Sequence, residues 1–168
     1  MKTLLLMRHG KSDWSASDGD FDRPLTKRGW DDAPMVGRML ADAHLIPDRV
    51  LTSPAVRAWT TAKLVAGAGE FPDEPVKAGG LYESTADECL ELLRRQSGKD
   101  DIVMVVGHNP TLEDLVEALC GARVRLPTAA VACLDAEIDD WQDLSPPACA
   151  LRWLVIPRFL RRISGRRG

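Results

Sequence analysis

Two stretches, TLLLM at residues 3–7 and DIVMVV at residues 101–106, are apolar almost without interruption. A strand with one wet face alternates apolar and polar residues. A continuous apolar run of this length instead marks a strand covered on both faces. Both runs therefore predict central strands of a sheet held between helical layers. Neither approaches the ~20 residues that a membrane-spanning helix needs.

The rest of the chain fits that frame. Strand-like runs fall at about 2–8, 49–52, 102–107, 130–134 and 150–156. Helical periodicity separates several of them. Leu112, Leu115, Val116 and Leu119 share one face, with Gly121 as a C-terminal stop. Ala86, Cys89, Leu90 and Leu93 repeat the pattern, capped by Ser84 or Thr85 ahead of Asp87 or Glu88. Ser53 and Pro54 read as the cap and first residue of another helix. A further helix lies between Thr26 and His44, and Pro34 inside it predicts a late start or a kink. Alternating strands and helices give a three-layer α/β/α fold with a mostly parallel sheet. Residues 15–24 and 67–80 read as surface loops, and His44 as structural.

Charge and cysteine usage narrow the class. The net charge is −3, yet Arg158, Arg161, Arg162, Arg166 and Arg167 crowd the last eleven residues, leaving −8 on the remainder. An acidic body argues against a nucleic-acid surface. The expected organisation is one domain over 1–157 and a basic tail over 158–168, frayed rather than helical. Cys89, Cys120, Cys133 and Cys149 form no CxxC pair and read as reduced thiols. With no signal-peptide pattern, these features predict a cytoplasmic protein and no membrane partner.

In an open parallel sheet, ligands bind beyond the carboxyl ends of the strands. Three segments send reactive groups there: Arg8, His9 and Gly10 after the first strand, Ser53 and Pro54 after the second, and Gly107 and His108 after the DIVMVV strand. Gly10 and Gly107 permit turns, Asn109 reads as a cap, and Pro110 starts the next helix. Arg57, early in its helix, leans back towards a helix mouth where free N–H groups favour anions. Glu83 lies just before another helix, as a general acid or as an ordinary helix-start charge. A zinc site would need a third ligand beside the two histidines, and Asp13 is the remaining candidate, with no HxH or HxxxH pair in the chain.

The strings LLLMRHGKSDW, DRPLTKRGWDDA, VLTSPAVRAWTTA, LYES, VVGHNPTLEDLV and LPTAAVACL, in this order over residues 4 to about 134, resemble the histidine phosphatase superfamily. RHGKSDW, RPLTKRG and the short length are most similar to its small SixA-type phosphohistidine phosphatases, and the fold implied is phosphoglycerate-mutase-like. The resemblance implies that His9 is a nucleophile forming a covalent phosphohistidine. Arg8, Arg57 and His108 would hold the phosphoryl oxygens, and Glu83 matches the position that often donates a proton to the leaving group. Lys11 and Ser12 are possible minor phosphate contacts. Neither metal nor organic cofactor is implied. The implied partner is a phosphorylated protein such as a histidine phosphotransfer domain. The alternatives are a small phosphorylated metabolite, or a non-catalytic phosphate-binding role. The catalytic reading requires a neutral His9, which neighbouring arginines favour.

Overall fold

A computed structural model describes residues 1–96 and 99–164. Six strands form one sheet: β1 (Lys2–Arg8), β2 (Arg49–Thr52), β3 (Val76–Lys77), β4 (Ile102–Gly107), β5 (Val131–Ala136) and β6 (Cys149–Val155). Their order is β3-β2-β4-β1-β5-β6. The β1/β4, β2/β4 and β2/β3 pairs are parallel, while β1/β5 and β5/β6 are antiparallel. The two apolar runs thus lie side by side at the centre, as their composition predicts.

Their alternate residues feed two cores. Leu4, Leu6, Val103 and Val105 pack with α4 (Ala86–Arg94) and α5 (Thr111–Cys120) on one face. Leu5, Met7, Met104 and Val106 pack with α2 (Lys27–Asp42) and α3 (Val56–Ala68) on the other. Both faces of the sheet are buried, which is why no polar alternation survives in these strands. A four-residue helix, α1 (Gly19–Asp22), precedes α2, and α6 (Pro157–Ser164) follows β6.

Several local expectations need correction. Helix α2 starts on its Thr26 cap and runs through Pro34 without a late start. Helix α3 begins later than the Ser-Pro signature suggests: its cap position is Ala55, with no side-chain cap bond. Asn109 does not cap α5. Its amide donates to Glu113 and to the Leu126 carbonyl, and Pro110 takes the cap position. The loops at 15–24 and 67–80 contain α1, the end of α3, β3 and a 3-10 turn at Gly79–Leu81.

The tail is helical as far as Ser164, against the expectation of a frayed end. Leu160 is buried, and Arg161 pairs with Asp32, a fully buried carboxylate that Arg28 also approaches at 3.4 Å. A buried charge needs such partners. Arg166 and Arg167 lie outside the described residues.

Helices α2 and α3 come into close backbone contact at Gly37. A Cβ there would fall inside the contact distance of the Val65 carbonyl and also meet the Gly69 backbone. Gly37→Ala should therefore lower the unfolding free energy by about 2 kcal/mol, despite alanine's better helix propensity, because backbone cannot swing aside like a side chain. Urea unfolding of the two proteins checks this; equal midpoints would refute the close-packing account.

Candidate active site

Strand register brings the site together. Arg8 is the partner of Gly107, and Thr52 of Val106, so β1, β4 and β2 end at one level. The next residues are His9, His108 and Ser53, delivered to one edge by three separate segments. The His9 amide donates to the Gly107 carbonyl at 3.0 Å, and the Ser53 amide to Val106 at 3.0 Å, so the backbone is still pinned there.

His9 is 7% exposed. Its Nδ1 lies 2.7 Å from the carbonyl oxygen of Gly10. A carbonyl only accepts, so Nδ1 carries the proton and the neutral ring keeps its lone pair on Nε2. Burial pushes the His9 pKa down to about 3, aided by the charges of His108, Arg57 and Arg8 and opposed by the Gly10 hydrogen bond. The ring is thus held neutral chiefly by desolvation, and the arginines act in the direction expected from the sequence as a lesser influence.

Gly10 is not in a left-handed turn. It is needed for space: a Cβ would sit 3.2 Å from the Gly29 backbone of α2. Its amide donates to Thr61 Oγ1 at 2.9 Å, and Thr61 donates to the Arg57 carbonyl at 2.7 Å. Thr61 therefore ties the His9 loop to the helix turn that carries Arg57.

His108 meets His9 ring to ring, with centroids 5.1 Å apart. Its Nε2 is 2.8 Å from Ser53 Oγ, so the Ser53 hydroxyl, which also accepts the Ala55 amide at 3.3 Å just ahead of α3, orients an imidazole as well. Burial lowers the His108 pKa to about 4, with Arg57 next in effect. Arg8 donates to the Leu126 carbonyl at 3.1 Å, and burial lowers its pKa while Glu113 opposes the shift. The Glu113 carboxylate also accepts from Asn109 and from the Leu126 amide, each at 2.8 Å, so it braces the wall behind Arg8.

Arg57, the second residue of α3, is 5% exposed. Arg8 Nε, Arg57 Nε and His108 Nδ1 are buried without a hydrogen-bond partner among the described residues. Buried donors on two guanidiniums beside an imidazole suit an anion with several oxygens. Arg57, Glu83 and His108 line one cavity of about 350 Å³. Glu83 sits on its exposed rim with a left-handed backbone, φ 52°. Lys11 and Ser12 serve the scaffold: the Lys11 carbonyl accepts from the Thr26 amide, and Ser12, 3% exposed, bridges to Leu25. The Lys11 side chain is exposed.

Sequence reasoning missed Asp20, Arg23 and Tyr82. Asp20 on α1 accepts from both terminal nitrogens of Arg57, from Tyr82 and from Arg23. Arg23, 6% exposed, stacks its guanidinium 3.5 Å above the Trp14 ring. Arg23 stands in the RPLTKRG string and Tyr82 immediately precedes Glu83, so position in those strings was the available signal. Asp20 has none, being one of several acids in a polar stretch. Among the described residues, no group of three or more His, Cys, Asp or Glu converges on a metal-sized site, and no helix is long and apolar enough to cross a membrane. The four cysteines are free thiols.

A mostly parallel sheet that presents arginines and a neutral histidine beyond its strand ends has the architecture of the phosphoglycerate-mutase-like phosphatases. Residues 4–89 match the histidine phosphatase superfamily (branch 1), and the chain belongs to that superfamily. Relatives agree along nearly its whole length. The protein histidine phosphatase SixA, solved with tungstate, superposes with a TM-score of 0.82 at 25% identity, covering 94% of this chain and 99% of that one. A candidate SixA from Agrobacterium tumefaciens gives 0.79 at 29% identity, covering 93% and 98%. An uncharacterised protein of Mycobacterium tuberculosis is 32% identical, covering 90% of this chain and all of its own. Superfamily membership and these neighbours support a phosphatase enzyme.

Proposed function

We propose that this protein removes phosphoryl groups through a covalent phosphohistidine on His9, with phosphohistidine on another protein as its substrate. The observation that carries the mechanism is the hydrogen bond from His9 Nδ1 to the Gly10 carbonyl, which leaves Nε2 free to attack. A bond forms between Nε2 and phosphorus while the bond from phosphorus to the leaving group breaks. Arg8, Arg57 and His108 hold the phosphoryl oxygens as charge redistributes over them. Water then attacks the phosphohistidine, releasing inorganic phosphate and restoring neutral His9. Glu83, on the cavity rim, supplies a proton to leaving groups that need one. A phosphorylated imidazole leaves more readily than an alkoxide, so that demand is weaker for a phosphohistidine.

Two features support a protein substrate. The Glu83 side of the site is an exposed rim, open to a phosphorylated side chain standing on another surface. The chain also spans almost the full length of the SixA structures it resembles, including the SixA named as a protein histidine phosphatase.

The test compares kcat/KM for a phosphohistidine-bearing phosphotransfer domain with that for a panel of sugar, nucleotide and other metabolite phosphates. The expected result is the highest efficiency on the phosphoprotein. Higher efficiency on a metabolite would overturn the substrate assignment. Phosphate binding with no turnover of any substrate would make the site a binding module. Glu83→Gln should lower turnover of alkyl phosphates about a hundredfold and of phosphohistidine far less. Equal losses would show that protonation is not its role.

A further inference from the structure

The two terminal nitrogens of Arg57 already hold oxygens of the protein itself. Nη1 donates to the Asp20 carbonyl at 2.5 Å, and Nη2 to Asp20 Oδ2 at 3.1 Å. Oδ2 also accepts from the Tyr82 hydroxyl at 3.0 Å, and Oδ1 lies 3.0 Å from Arg23 Nη2. One residue thus offers three oxygens to two guanidiniums and a phenol. Hydrogen bonds from Tyr82 and Arg57 and the charges of both arginines hold the Asp20 carboxyl below its ordinary range, although partial burial opposes this. It is therefore a full anion at neutral pH.

We propose that Asp20 is a built-in competitor for the phosphoryl seat on Arg57: an entering phosphoryl group displaces it, and Asp20 thereby sets which anions the site accepts. This deepens the phosphatase reading and rests on Arg57 holding phosphoryl oxygens. Two observations argue for displacement over a fixed clamp. First, the carboxylate and a phosphoryl dianion on one guanidinium would repel at short range, so joint occupancy is unfavourable. Second, the segment bearing Asp20 is lightly held. Helix α1 has four residues, none of them buried, and no side-chain cap. Gly19 enters it at φ 78°. Beyond the bonds of Asp20, it touches α3 and makes an edge-on contact of Phe21 with Tyr82 at 5.1 Å between centroids, and Phe21 itself stays exposed. A segment with so little buried apolar contact opens at low cost.

The consequence is selectivity by charge. A doubly charged phosphoryl group outcompetes a carboxylate for two arginines, whereas a singly charged anion does so poorly. Released from Arg57, Asp20 keeps Arg23 as its partner. Arg23 has its own contact with the Trp14 ring, 3.5 Å from the ring centroid.

The experiment measures inorganic phosphate binding to the full chain by calorimetry, with no turnover involved. Asp20→Asn keeps the size of the side chain and removes its charge. It should bind phosphate about tenfold more tightly than the native protein. Acetate, a weak competitor against the native chain, should compete better against the variant. Tyr82→Phe, which removes one of the bonds holding Asp20 in place, should shift phosphate affinity the same way by a few-fold. Weaker binding in Asp20→Asn would make Asp20 a positioning residue for Arg57 and overturn the proposal, as would unchanged affinity. Failure of native and variant proteins alike to bind phosphate would overturn the phosphate-site reading as well, an outcome distinct from either of these.

Discussion

Replacing His9 with alanine abolishes turnover, by a factor on the order of 10⁴ or more, while phosphate binding to Arg8, Arg57 and His108 persists. The size of the expected loss follows from the role. A hydrogen-bonding residue contributes part of the transition-state stabilisation, whereas a nucleophile is the reaction path. Ring geometry makes the prediction specific to one atom, since Nδ1 is committed to the Gly10 carbonyl. Rapid quenching of the native enzyme with a phosphorylated substrate should yield one phosphoryl group on the peptide that contains His9, stable in alkali and lost in acid. Turnover surviving in His9→Ala, or the phosphoryl group on another residue, would refute the covalent mechanism.

Lowering the pH from 7 to 5.5 should cost the folded protein about 2–3 kcal/mol through His9 and His108 alone. His9 is buried and His108 half-buried, and both are neutral in the folded protein, with pKa values pushed down to about 3 and about 4. In the unfolded chain each protonates at about 6.5. Between those limits the unfolded state binds more protons, so acid favours unfolding and stability rises with pH through this window. Guanidinium titrations at the two pH values measure the difference. His9→Ala should remove about half of it, and a pH dependence unchanged in that variant would show that His9 is not held neutral. Turnover should show the same signature: no acidic limb near pH 6.5 from either ring.

What the sequence disclosed and what it concealed divide by range. Arg8, His9, Arg57 and His108 were legible because each ends, or follows within a few residues, a strand that announces itself by apolar composition. Their convergence follows from the rule that parallel strands present their carboxyl ends together. Asp20 was not legible, since its meaning comes from Arg57, 37 residues away, and Tyr82, 62 residues away. Ser53 was read only in part: its hydroxyl does accept an amide at the helix entrance, that of Ala55, but only the fold shows that it also meets His108. The tail was misread for a similar reason. Five arginines without an acid look like a solvated end until Asp32, 129 residues earlier, is found buried against Arg161.

The bond that selects the tautomer of His9 has no side chain at its accepting end. In many catalytic histidines a carboxylate performs that task, and a single base change in the gene can remove it. Here the acceptor is the peptide group of Gly10, which every codon supplies. Mutation can crowd position 10, since Gly29 stands behind it, but it cannot delete the oxygen. The ring's polarity is thus inherited with the path of the chain, leaving the surrounding side chains free to change from one lineage to another without unmaking the nucleophile.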